Sequence, residues 1–421
     1  MRRIAPLLAL ISLLLCAGIA TTAIARPVEG PDGAAFFVPP TKKHPLRHGS
    51  LLRYRQTDVS LGSGPEQRAW NVVYRSRSAR GRRNAVAGTV FVPSAPYAGK
   101  GPRPIVTFAV GTQGLDESCA PSRQFEAGSE YENSNIAAAL DEGWAVLVTD
   151  YEGYLRGQTP TYSAGRSQGH AVLDIVRAAR KLPGAGLRRR ALVAIWGYSQ
   201  GGQSAAWAGE QEVRYTPEAR VRGVVAGGVP ANLKETAENL DGSPGAGLLL
   251  AANVGVDRAY PRLVRLDTLL NAAGKAAVEQ VKQQCVGETV ATFAGRRTSD
   301  FTKGGRTLEQ LEGRRGIKRV FRLNQLGLRK PSVPVLQYHS SNDEIVPLGQ
   351  AVDLRNTYCK KGVREQFMTY PGEHVSGSAA GMPAAIDWIG ARFAGKTAPS
   401  NCGTPVIQSP PPPPLLPLPG G

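Results

Sequence analysis

The chain has 421 residues, 42% of them hydrophobic and 20% charged, with 51 Lys and Arg against 33 Asp and Glu, a formal net charge of +18. That length can bury one large core plus an elaboration. The basic residues are dispersed and form no aromatic-interleaved stripe, which excludes a nucleic-acid partner; contact with a lipid–water interface or an anionic cell wall is compatible with such a balance, but the dispersal reads first as a global arginine bias.

From the N-terminus, Arg2 and Arg3 precede an apolar run from Ile4 through Ile19 and the small-x-small sequence Ala23-Ile24-Ala25. This reads as a cleaved signal peptide over 1–25, hence a secreted protein of net charge +16 once Arg2 and Arg3 are gone. The competing reading is a retained membrane anchor, but the second half of the run is only Ala, Gly and Thr. Cys16 follows Leu15, not the small residue a lipoprotein signal needs. Cys119, Cys285, Cys359 and Cys402 remain, an even number suited to an oxidising compartment, with three pairings open. None has C-x-x-C spacing, so neither zinc nor another metal is expected.

Strands are predicted at 51–59, 69–76, 84–93, 104–110, 144–149, 191–196, 222–227, 333–338 and 366–370. The early ones alternate like half-exposed antiparallel strands. From 104 onward they become continuous apolar runs, as parallel strands covered on both faces do. Helical patterns lie between them at 171–181, 200–211, 346–357 and 379–393. The order predicts a three-layer α/β fold with a mostly parallel sheet. Regularity breaks at Pro230: residues 230–320 lack strand runs and hold helix-like segments at 248–256 and 263–281, as a lid inserted in a core would. The core then divides into 26–229 and 321–403, and a Pro-rich tail at 404–421 cannot build a core. Oligomeric state is left open.

The pattern G-x-S-x-G occurs twice, as Gly197-Tyr198-Ser199-Gln200-Gly201 and as Gly165-Arg166-Ser167-Gln168-Gly169. Ser199 follows the apolar run ALVAIW and opens a helix rich in small residues, the strand–turn–helix context of an α/β-hydrolase nucleophile. Ser167 follows a polar loop broken by Pro160 and reads as a helix N-terminal residue. The chain order Ser, acid, His leaves His339 and His374 as bases. His339 ends a strand and reads as structural; His374, in a Gly- and Pro-containing loop between the last strand and the last helix, is the candidate. Asp343 directly follows a strand and is the candidate acid, with Glu344 as its near alternative; Asp353 falls inside a helix and Asp150 precedes the nucleophile. The backbone amides of Gln200 and, in the turn Gly111-Thr112-Gln113-Gly114, of Gln113 are the candidate oxyanion donors.

Together, GYSQGG, the stretch Gly111–Ser122, Asn342-Asp343-Glu344-Ile345-Val346-Pro347 and Gly372-Glu373-His374 resemble the secretory lipase family, α/β-hydrolases of the fungal lipase A type, from about Arg53 to Cys402. The resemblance implies the α/β-hydrolase fold with a helical cap, Ser199, Asp343 and His374 as triad, and disulfides Cys119–Cys285 and Cys359–Cys402. It implies hydrolysis of acylglycerols or other acyl lipids without metal or organic cofactor. Fungal members can carry an acidic residue where this chain has Gln113. The rival readings are a small-ester esterase or peptidase with the same triad, and a catalytically silent, wall-associated binding protein.

Overall fold

The computed structural model describes residues 27–40 and 47–406; the expected signal peptide and almost all of the Pro-rich tail lie outside them. The strands are β1 (Val28–Glu29), β2 (Leu51–Thr57), β3 (Gln67–Arg77), β4 (Arg83–Pro93), β5 (Ile105–Ala109), β6 (Ala145–Thr149), β7 (Val193–Tyr198), β8 (Val221–Gly227), β9 (Val335–Ser340) and β10 (Glu365–Tyr370). They form one sheet in the order β1-β2-β3-β4-β6-β5-β7-β8-β9-β10. Pairing is antiparallel from β2 through β4 to β6 and parallel from β6 onward. Every residue of β5, β6 and β7 is buried, which is why those segments read as unbroken apolar runs.

The early strands depart from the expected half-exposed alternation. Residues 69–76 of β3 are all buried. Val72 and Tyr74 enter the main core, while Val73 lies in a separate cluster with Phe36, Phe37, Ala87 and Leu155. An N-terminal segment and a distant loop thus cover the second face, a tertiary effect that periodicity does not carry. The two-residue β1, which lacks an apolar pattern, was not anticipated.

Two helical layers enclose the sheet. Before the elbow come α1 (Pro121–Ala127), α2 (Asn133–Asp141) and α3 (Gly165–Ala179); α4 (Gln200–Tyr215) follows it. Nine further helices then intervene before β9: α5 (Leu233–Leu240), α6 (Ala246–Ala259), α7 (Pro261–Val264), α8 (Leu266–Leu269), α9 (Ala272–Val281), α10 (Val286–Phe293), α11 (Thr298–Phe301), α12 (Leu308–Glu312) and α13 (Arg315–Leu323). The chain closes with α14 (Leu348–Lys360) and α15 (His374–Phe393). A side chain at Gly223 would strike Trp388 of α15, whereas the adjacent Val224 faces Gly209 of α4. Neighbouring strand positions point to opposite faces, so α4 and α15 sandwich β8. A mostly parallel sheet between two helical layers, with a strand–turn–helix at its centre, is the α/β-hydrolase fold.

The helical pattern expected to run through 263–281 is broken into three pieces. Arg265 turns left-handed at φ 54°, Leu270 is extended, and the Asn271 side chain caps α9 by accepting from Gly274 N at 2.8 Å. Each break lets a short apolar face turn inward.

Cys119–Cys285 joins the loop after β5 to this insertion, and Cys359–Cys402 joins α14 to the C-terminal segment. Backbone bonds reinforce the first: Leu115 N donates to Gln284 O (3.0 Å) and Val286 N to Gln113 O (2.9 Å). Near the second, the Asn401 amide both accepts from Phe367 N (2.9 Å) and donates to Phe367 O (2.8 Å), covering the free edge of β10. The bridges span 166 and 43 residues. Replacing both cysteines of a bridge with Ser should lower the unfolding free energy by up to about 5 kcal/mol for the longer loop and about 4 kcal/mol for the shorter. Chemical denaturation reads both; a larger loss from the shorter loop would contradict loop closure as their main contribution.

Candidate active site

The turn between β7 and α4 is tightly confined. A Cβ at Gly201 would lie 1.9 Å from Ala109 O, and one at Gly202 2.0 Å from Gly227 O. Only glycine permits the helix to start that close to the sheet. Ser199 at the apex takes φ 57°, ψ −124°, a conformation costly for a residue with a side chain. It is held there by Ser199 N donating to Gly227 O (2.9 Å) and Gln203 N donating to Ser199 O (2.9 Å). The hydroxyl is consequently carried above the ends of the parallel strands.

There it meets the imidazole. Ser199 Oγ lies 2.8 Å from His374 Nε2, and His374 Nδ1 lies 2.7 Å from Asp343 Oδ2. With Nδ1–H donating to the carboxylate, Nε2 keeps a lone pair for the hydroxyl proton. Asp343 Oδ1 accepts from Val346 N (2.7 Å) and Ile345 N (3.1 Å). Burial pushes this carboxyl up, but hydrogen bonds from His339 and His374 and their charges outweigh it, and the group is held below the ordinary carboxylate range. Asp343 is thus anionic throughout the neutral range, able to fix the imidazole and stabilise its charged form.

Several partners were not anticipated. His339 donates from Nε2 to Val346 O (2.9 Å) and lies 3.2 Å from Asp343 Oδ2, so it supports the acid. Glu344, the alternative acid, instead accepts from His374 N at 3.0 Å and orients the backbone of the base. His374 is the first residue of α15, not a loop residue, because Glu373 caps that helix by accepting from Val375 N and Ser376 N, each at 2.7 Å. Tyr198 OH donates to His374 O (2.6 Å).

Ser167 lies in the first turn of α3, buried, its hydroxyl 3.1 Å from both Ala164 O and Thr161 Oγ1. Asp150 accepts from Ser122 N (2.9 Å) and Ser122 Oγ (2.6 Å) and pins the start of α1.

Ser199 and Gln200 open into a cavity whose wall on the side of the 111–114 turn is Thr112. The Gln113 side chain points behind the turn, donating to Glu130 Oε1 (3.2 Å) and accepting from Gln124 Nε2 (2.7 Å), so only its backbone amide is left as a candidate oxyanion donor. The rest of the turn is also fixed: Gly111 N donates to Glu132 Oε2 (2.5 Å), Tyr131 OH to Thr112 O (3.0 Å) and Tyr154 OH to Gly114 O (2.5 Å). Gly114, at φ 116°, lies so close to Cys285 that a Cβ would be 2.5 Å from its Cα. A second cavity lies within the insertion and shares Ala237, Leu249, Asn253, Val256, Val320 and Phe321 with the first. The two adjoin across these shared residues and are mostly apolar, extending away from Ser199.

The description of a matching family model reads secretory lipase, and it covers residues 123–401. A secreted triacylglycerol lipase of Malassezia globosa is 29% identical over 393 residues, 89% of this chain and 82% of its own. A Mycobacterium tuberculosis protein named "Probable inactive lipase" is 30% identical over 385 residues, 88% and 84% of the two chains. The closed state of Candida antarctica lipase A aligns with a TM-score of 0.78 at 25% identity, covering 89% of this chain and 88% of that one.

The buried carboxyls behind the 111–114 turn set a pH test. Burial pushes Glu130 up to about 7 against hydrogen bonds from Glu132 N and Gln113, and Glu132 is raised by burial and by Glu130. A carboxyl raised in the folded state destabilises it as pH climbs from the unfolded value of 4.5 through about 7. Glu130→Gln, which keeps the acceptor, should therefore flatten the fall of Tm between pH 5 and 8 and be the more stable protein at pH 8, by at most roughly 3 kcal/mol. Parallel Tm–pH curves for the two proteins would contradict it.

Proposed function

The chain belongs to the secretory lipase family and is a carboxylic ester hydrolase, and from that premise we propose that it is secreted and acts on acylglycerols, with Ser199 as nucleophile, His374 as general base and Asp343 as the acid that orients it. The observation that carries this reading is a hydroxyl 2.8 Å from an anchored imidazole at the mouth of an apolar passage.

His374 Nε2 takes the Ser199 Oγ proton as Oγ attacks the ester carbonyl carbon. The tetrahedral oxyanion accepts hydrogen bonds from the Gln200 backbone amide, an unpaired donor in the first turn of α4, and from the amide of Gln113. Collapse breaks the bond to the alcohol oxygen, which receives the proton from His374. Water, deprotonated by the same nitrogen, then attacks the acyl-enzyme, and the fatty acid leaves with Ser199 reprotonated. Residues 230–320 act as a cap whose cavities hold the acyl chain. Contact with a lipid–water interface or an anionic wall follows from such a substrate and from the basic surface.

A small-ester esterase or a peptidase could use the same three side chains, since the elbow fixes acyl transfer and not the leaving group. The passage of apolar side chains from Ser199 into α6 and α13 favours a long acyl group. A silent binding protein has a precedent in the name of the mycobacterial relative, but here each hydrogen bond of the Ser–His–Asp arrangement is present.

A fluorophosphonate probe should label the wild type and Ser167→Ala but not Ser199→Ala, and Asp343→Asn should lose about 10⁴-fold in kcat. Retained labelling in Ser199→Ala would overturn the assignment. Across nitrophenyl esters, kcat/KM should rise by up to about fourfold per added methylene until the passage is filled. A preference for acetate, or turnover of peptides without esters, would overturn the lipase reading.

A further inference from the structure

Beyond the substrate passage, a wide open groove of about 2010 Å³ runs along the seam between the core and the helical insertion. Seven of its lining side chains are cationic: Arg80 and Arg166 from the core, Arg262 from α7, and Arg315, Lys318, Arg319 and Arg322 from α13. All seven are exposed, no carboxylate lines the groove, and among the described residues none of the seven enters an ion pair. Elsewhere in the chain arginines do find carboxylates, as Arg177 does with Glu218 and Arg55 with Glu126. Among seven charged side chains drawn evenly from 51 basic and 33 acidic residues, about three would be acids. Tyr260, Leu263 and Leu323 lie between the charges, and Leu323 is 38% exposed.

The α13 helix carries most of this charge and has two distinct faces. Arg315, Lys318, Arg319 and Arg322 follow the i, i+3, i+4, i+7 spacing of one stripe. Ile317, Val320 and Phe321 face the other way and line the cavity inside the insertion, the last two also lining the cavity that contains Ser199. The helix is seated firmly: a Cβ at Gly316 would lie 2.1 Å from Leu263 O, and buried Asn324 accepts from Gly165 N at 3.1 Å. Thus a single helix forms a wall of the acyl passage on one side and a cationic surface with apolar side chains on the other.

We propose that this groove is the docking surface for anionic lipid headgroups, seating the protein on a negatively charged lipid surface with the outer face of α13 against it. Guanidinium groups pair with headgroup phosphates or carboxylates, and Leu323, backed by the half-buried Leu263, enters the headgroup layer. The proposal rests on the lipid-hydrolase reading, since that reading supplies the lipid surface. A soluble acidic polymer would satisfy the same charges but has no use for the interspersed leucines.

The test measures sedimentation with phosphatidylcholine vesicles and with vesicles in which phosphatidylglycerol makes up about a third of the lipid. The protein carries Ser199→Ala, so binding is read without hydrolysis. Lys318→Gln/Arg319→Gln/Arg322→Gln removes three groove charges; Arg188→Gln/Arg189→Gln/Arg190→Gln removes three from the loop before β7, about 20 Å away along that strand from Ser199. The anionic vesicles should be preferred, and the groove variant should lose about 100-fold in affinity at about fivefold per charge, with the loop variant nearly unchanged. Equal losses from both variants, or no preference for anionic vesicles, would overturn the proposal, as would binding to soluble dextran sulfate but not to vesicles. With Ser199 restored, turnover of a soluble nitrophenyl ester should be the same in the groove variant and the wild type. Absence of turnover in both would count against the hydrolase reading alone, leaving the vesicle result to stand separately.

Discussion

The arrangement depends on one costly turn. Ser199 is held at φ 57°, ψ −124° because glycines at 201 and 202 let α4 begin against the backbones of Ala109 and Gly227. That conformation lifts the hydroxyl out of the sheet and leaves the first amides of α4 without intrahelical partners. The same geometry thus presents the candidate nucleophile and, beside it, a candidate donor for the charge its attack would create. His374 and Asp343 then need only arrive from the ends of neighbouring strands, which the parallel register of β9 and β10 arranges.

Around that point, the elements are tied so that their relative positions cannot drift far. Asp343 is fixed by two backbone amides and His339, and the start of α15 by Glu373 and Glu344. The 111–114 turn is fixed by buried acids, by tyrosine hydroxyls and by its bridge to the insertion at Cys285. Because α5, α6 and α13 line the cavity at Ser199 opposite Thr112, Tyr162 and Val346, the disulfide ties the 111–114 turn to the segment that faces it across the candidate site. The α13 helix carries the cationic stripe on its outer face and Val320 and Phe321 of the cavity wall on its inner face.

Much of this was legible in the residues. The buried strands carry unbroken apolar runs because helices cover both their faces, and GYSQGG is distinguished from GRSQG by the strand before it. What was not legible depends on contacts between distant segments. Nothing in Ser129-Glu130-Tyr131-Glu132 announces that both carboxyls turn inward to hold Gly111 and Gln113, since a Glu-rich stretch ordinarily reads as a solvated face. The pattern at 263–281 has helical spacing, yet Arg265 and Leu270 break it so that short faces can pack separately. His374 was expected in a loop from Pro371 and Gly372, but capping by Glu373 decided the helix boundary. The Gln113 side chain was drawn away from the cavity by Glu130 and Gln124. In each case a contact or backbone turn that local spacing does not carry overrode the local preference.

A crystal structure of the protein inactivated by a long-chain alkyl phosphonate addresses the nucleophile, the oxyanion donors and the passage together. Phosphorus should be bonded to Ser199 Oγ, with its free oxygen about 2.7–3.1 Å from the amides of Gln200 and Gln113, and the alkyl chain should run past Leu249 and Val256 beneath α13. An adduct on any other residue, or a free oxygen turned away from those amides with the chain in solvent, would contradict the assignment of this site.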